Sequence, residues 1–195
     1  MFTVNNILLN EAIELNGPDL LTASFSKSLS SVFSSTYLSR MEKIINKIKI
    51  KESITNNNII AWFDGSTIYV NKRSFYAIPA SNRVNYLLHE FTHYLMNKKF
   101  KEVSNLSKQI ERIVVTDTNG DYSKIASFLI GKSGGTISKN LINSQEYLAY
   151  FMNGKINWSA LSEKAVLLIK KQIMTSGIFN TSSPFWTKEG RLGSN

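Results

Sequence analysis

The sequence predicts an α+β fold, and three observations carry that prediction. Apolar residues recur at helical spacing near the start and through most of the second half. A block between these regions switches to strict alternation, and turn residues stand where the period changes. With 195 residues, 43% hydrophobic and 19% charged, the chain has the size and composition of one domain able to bury a core.

The elements follow in order. Gly17-Pro18 stops the preceding chain and starts a helix, and Asp19 places negative charge in its first turn. Leu21, Phe25, Leu29, Val32, Phe33, Tyr37, Met41, Ile44 and Ile45 continue at helical spacing, which predicts one long amphipathic helix over 19–45. "NKIKIKE" (46–52) alternates lysine and isoleucine, the pattern of a strand with one buried face. "NIIAWF" (58–63) and "TIYV" (67–70) flank Asp64-Gly65, a hairpin signal, so a small antiparallel sheet of three strands is expected. Ser81 is placed to cap a helix running to Lys98 and Lys99, where the dipole favours cations. Further helices are expected over 102–115, 122–130, 144–153 and 159–175, with a turn at 117–121 and a loop at 131–135. The tail, 176–195, has no period, which predicts a mobile segment.

Composition excludes some chemistry. Without cysteine there are no disulfides and no thiolate metal sites. No stretch has the charge and apolar pattern of a signal peptide, and none reaches the ~20 apolar residues of a membrane span. Cytoplasmic synthesis is therefore the default expectation. A net charge of +9 suits an acidic partner, an anionic surface or nucleic acid, but a solvated basic surface is the favoured explanation.

Both histidines of the chain lie in "LHEFTHYL" (88–95). On a helix, His89 and His93 share one face about 6 Å apart and can turn imidazole nitrogens to a single ion. Glu90 is rotated about 100° from His89, so it need not ligate and can reach a water held on that ion. This is the His-Glu-x-x-His zinc pattern of two ligands and a general base. A catalytic zinc normally takes three protein ligands and keeps one position open. With no third histidine, the remaining ligand must be a carboxylate. Glu146, in "NSQEYLAYF", is the best candidate, because an acid among apolar neighbours needs a compensating partner. The competing explanation is a loose capping box, Asn143-x-x-Glu146. Asp117, Asp121 and Glu111 are weaker rivals in more solvated surroundings.

His89-Glu90-Phe91-Thr92-His93 together with Glu146-Tyr147-Leu148-Ala149 resembles the zincin metallopeptidases, and within them the gluzincins, whose ligands are two histidines and a downstream glutamate. The resemblance covers about 90 residues, from the hairpin to Phe151. It implies a minimal zincin-like domain over 1–175, with an N-terminal helix and first strand (1–57), a catalytic core (58–152) and a C-terminal helix (153–175). It further implies Zn²⁺ as cofactor, peptide-bond hydrolysis of a protein or peptide substrate, and substrate binding along an edge strand by β-addition. The family also uses a tyrosine or histidine that stabilises the oxyanion. Tyr150 lies one turn beyond Glu146 and Tyr122 lies in a loop region; no motif selects either, and packing explains both equally well. Small single-domain peptidases of this type resemble secreted toxins, bacterial effectors or phage-associated proteases.

"GKSGGT" (131–136) lacks the first glycine of a phosphate loop, and no strand precedes it. "RMEKIINKIKIK" (40–51) could contact phosphates, but its alternation assigns the lysines to one solvated face. A basic nucleic-acid- or partner-binding module with a non-catalytic zincin-like core is the alternative function. Salt-dependent binding that survives zinc removal would distinguish it.

Overall fold

The computed structural model describes residues 18–98, 100–131, 139–187 and 191–193. Among the described residues, two helices lead into a three-stranded sheet, and the remaining helices pack against it and against one another. The first helix, α1 (Pro18–Ser28), gives way to a single 3₁₀ turn at Leu29–Ser31. The chain then restarts as α2 (Ser35–Ile45), whose N-cap Ser34 accepts a hydrogen bond from the Tyr37 amide at 3.2 Å. The expected single helix over 19–45 is therefore two.

The apolar period runs through this break because Phe25, Leu29, Val32, Phe33, Tyr37 and Met41 are all buried on either side of it. A pattern of buried positions does not register a cap. The serines do, since Ser28 donates back to the Phe25 carbonyl and Ser34 accepts the Tyr37 amide as a new N-cap.

The sheet comprises β1 (Ile50–Ser53), β2 (Ala61–Phe63) and β3 (Ile68–Asn71) in the order β1-β3-β2. The hairpin is as the sequence predicts, with β2 antiparallel to β3 and Trp62 opposite Tyr69. Asp64 Oδ1 accepts from the Ser66 and Thr67 amides across the turn, and Gly65 supplies a φ of +95°. β1, however, pairs parallel to β3, so the sheet is mixed rather than antiparallel. The most buried strand takes the centre: Ile68, Val70 and Asn71 of β3 are all buried. β1 keeps Lys51 exposed and Ile50 buried, and an edge tolerates that lysine. Asn71 Nδ2 donates to Thr55 and Asn57, pinning the connection between β1 and β2.

α3 (Lys72–Ala77) is a short helix capped by Asn71. α4 (Ala80–Asn97) carries the two histidines. It begins after Pro79 without a side-chain cap, so Ser81 lies inside the first turn rather than before it. Its lysine end is partly as expected: Lys98 follows the last helical residue, and Lys99 lies outside the described residues. α5 (Lys101–Asp117) and α6 (Tyr122–Ile130) match the predicted helices, with Asp121 capping α6. α7 (Glu146–Asn153) and α8 (Glu163–Thr175) follow, α8 starting later than expected because Ser162 caps it after a separate 3₁₀ turn at Trp158–Ala160. The loop expected at 131–135 falls mostly outside the described residues.

Over its described part the aperiodic tail packs onto the core. Phe33 and Phe179 form a β-bridge, and α9 (Pro184–Thr187) buries Trp186 completely. Trp186 Nε1 donates to the Val32 carbonyl at 2.8 Å. Single aromatic anchors hold this segment, and they leave no repeat for a periodicity argument to detect. Among the described residues, no helix is long and apolar enough to cross a membrane.

Candidate metal centre

The burial of α4 decides where its histidines point. Leu87, Leu88, Phe91, Tyr94 and Leu95 form its buried side, and the Phe91 ring meets those of Phe25 and Phe33 edge-on. With that side locked into the core, rotation about the helix axis is fixed. His89 and His93 then face α7, the helix against which α4 packs most extensively.

Glu146 is the first residue of α7, and its carboxylate meets both imidazoles. Oε2 lies 3.3 Å from His89 Nε2, and Oε1 lies 3.2 Å from His93 Nε2. The three side chains could hold a metal ion, since one donor atom from each lies within 4.8 Å of the others. A tetrahedral centre with bonds of about 2.1 Å places its donors about 3.4 Å apart. The two imidazole–carboxylate separations, each to a different oxygen of Glu146, are of that size, and donors from the three residues lie within 4.8 Å of one another. These side chains are 12–17% exposed, mostly dry but open enough to admit a further ligand.

The orientation of His93 has a support of its own. Its Nδ1 lies 3.1 Å from Gln145 Oε1. An amide oxygen only accepts, so this contact assigns the proton to Nδ1; Nε2 faces Glu146, donating to the carboxylate when it is protonated and leaving its lone pair free for an ion when it is not. Gln145 is positioned in turn by Asn143, whose Oδ1 accepts the Gln145 amide. The capping-box alternative is thereby resolved: Asn143 engages Gln145, and the Glu146 carboxylate is directed at the imidazoles. His89 Nδ1 is buried with no partner among the described residues.

α7 has no side-chain cap from its own N-cap residue. Ser107 of α5, fully buried, supplies one from another helix. Its hydroxyl donates to the Ser144 carbonyl at 2.5 Å and accepts the Leu148 amide at 3.1 Å. The residues bracketing Gln145 and Glu146 are thus held to α5.

Glu90 lies beside the cluster, within electrostatic reach of both imidazoles and of Glu146, and it accepts a hydrogen bond from the Phe63 main chain at the end of β2. Burial, with a smaller contribution from the Glu146 charge, raises its pKa above the usual carboxylate value against the opposing pull of the histidines. For Glu146, burial also acts upwards but is outweighed by hydrogen bonds and charge from the two imidazoles, which hold it at about 2. Desolvation alone would lower the His93 pKa; the hydrogen bond and charge of Glu146, with Gln145 and Glu90, turn the net shift upwards.

Two of the three rival carboxylates have other work. Asp117 receives the Ser162 amide and hydroxyl, and Asp121 caps α6. Of the two tyrosines, Tyr150 packs its ring against His89, centroids 4.8 Å apart at 79°. Burial and the charges of Glu146 and Glu90 push its phenol up to about 12, so it stays protonated. The Tyr122 hydroxyl is buried without a partner among the described residues. Gln145, Ser107 and the choice between these tyrosines depend on tertiary contacts and had no sequence signal, except that Tyr150 stands one helical turn after Glu146.

No protein-family model, curated protein or solved structure matches the chain, so the geometry of the cluster carries the reading that follows.

Proposed function

We propose that the chain is a zinc-dependent metallopeptidase of the gluzincin kind, with His89, His93 and Glu146 as ligands. The observation that carries this reading is the convergence of two imidazole Nε2 atoms on one carboxylate, with donor atoms of all three residues within 4.8 Å of one another and a second, raised-pKa carboxylate alongside. The donor set of two nitrogens and one oxygen suits zinc, which when bound would polarise a carbonyl and bring a water's pKa towards ~7.

The chain's own residues supply the rest. Glu90 takes the proton of the attacking water and returns it to the departing amide nitrogen, work for which a carboxylate of raised pKa is suited. Tyr150, kept protonated, donates its hydroxyl to the oxygen on which negative charge develops. β2 is an edge strand packed on α4, and its Phe63 main chain reaches Glu90. An extended peptide added to β2 would therefore pass the base. A selective toxin, effector or phage-associated protease is the biological form this reading favours.

The test combines zinc analysis of purified wild type with cleavage profiling of wild type against Glu90→Gln. Stoichiometric zinc in both proteins, with cleavage reduced about 10²–10⁴-fold in the variant, is expected. A wild type without zinc overturns the ligand set, and an unimpaired variant overturns the base.

A further inference from the structure

Arg191 lies far from the motif in sequence and is 95% buried, since its relative exposure is 5%. Its guanidinium joins three parts of the fold. Nη2 donates to Asn85 Oδ1 at 2.9 Å and to the Met152 carbonyl at 2.7 Å, and Nη1 donates to the Phe185 carbonyl at 3.3 Å. Its own carbonyl accepts the Trp158 indole at 2.8 Å, which fixes the backbone from which the side chain projects. The Phe185 ring lies beneath the guanidinium, 3.7 Å from centroid to Cζ.

These partners are placed with respect to the metal cluster. Asn85 stands one helical turn before His89 on α4, on the same face. Met152 is next to the last residue of α7, whose first residue is Glu146. Its carbonyl belongs to the negative end of the helix, which stabilises the buried cation. Gly154 closes this corner: at a φ of +68° it passes so near that a Cβ would sit 3.0 Å from the guanidinium carbon.

We infer that Arg191 is a positioning residue for the metal centre, clamping the helix that carries His89 and His93 to the helix that carries Glu146. The guanidinium fork bonds one partner on each helix at once, which sets their separation at the end opposite the His93–Gln145 contact. Two fastenings, one at each end of the α4–α7 contact, leave the ligands little freedom to part. The inference rests on the metal-centre reading and concerns residues that touch no ligand.

The experiment measures Zn²⁺ affinity by chelator competition for the full chain, well below the thermal midpoint of each metal-free protein. Wild type, Arg191→Gln, Asn85→Ala, the double variant and Arg191→Lys are compared. Removing either arm is expected to weaken Zn²⁺ about tenfold in protein that remains folded. The double variant should be no weaker than Arg191→Gln, because the Asn85 arm acts through Arg191. Lysine keeps the charge but not the fork and should not restore affinity. Should Arg191→Gln not fold, Asn85→Ala alone decides. Unchanged Zn²⁺ affinity in folded variants, even with a lower thermal midpoint, overturns the clamp and leaves the metal centre standing. Additive losses in the double variant overturn it too. A wild type that binds no zinc removes the metal centre, and the clamp with it.

Discussion

Ser107→Ala tests whether α7 is held in place from another helix. The substitution removes a hydroxyl that is fully buried between α5 and the start of α7. Alanine fits the space, so no steric strain is added. The Leu148 amide loses its acceptor and the Ser144 carbonyl loses a donor. Leaving one buried amide unsatisfied costs about 1–3 kcal/mol, and loss of an N-cap costs about 1 kcal/mol. These are two views of largely the same loss, so about 2 kcal/mol is expected. For a chain of this length that corresponds to a fall of about 4–8 °C in the thermal midpoint. Urea unfolding of metal-free wild type and variant, followed by circular dichroism, measures it. A change within about 0.5 kcal/mol, as for an ordinary surface substitution, would refute the cap.

Two further outcomes follow from the cluster. In metal-free protein Glu146 titrates at about 2 against an ordinary 4.5, so its stabilisation is present above pH 4.5 and is lost as pH falls towards 2. The His93 and Glu90 pKa values are raised, so their contributions are present below the ordinary 6.5 and 4.5 and are lost as pH rises through the folded values. Thermal midpoints across pH should therefore peak on the acid side of neutrality without metal, whereas added Zn²⁺ should extend stability to higher pH by taking the place of the His93 proton. A metal-free midpoint that climbs steadily through neutral pH would contradict these signs. Gln145→Ala should weaken Zn²⁺ about 10–100-fold by freeing the His93 tautomer, with little change in unfolding free energy. Equal affinity by chelator competition would remove Gln145 from the site.

How much of this was legible depends on the range of the contact involved. His89, Glu90 and His93 sit within one helical repeat, where spacing alone specifies which side chains share a face. Glu146 was legible for a different reason: an acid beside Tyr147, Leu148 and Phe151 demands a partner. Gln145, Ser107, Asn85 and Arg191 announce nothing locally, because each acquires its role from an atom on another element. The division of the first helix was hidden for the converse reason, since burial continues on both sides of Ser34. The parallel pairing of β1 with β3 was not legible either, because alternation reports a buried face and not a neighbour.

The seam between Val32 and the segment from Asn180 to Trp186 bears on how the protein is made. The Val32 carbonyl receives both the Asn180 amide and the Trp186 indole, the latter 154 positions away. During synthesis the Phe33 ring therefore waits for the distant segment that carries Phe179 before that partner can pack on it. Such distant closures form slowly and leave apolar surface open meanwhile. A nascent chain stalled short of Trp186 would already carry all three metal-cluster residues, yet would still lack its last hydrophobic seal.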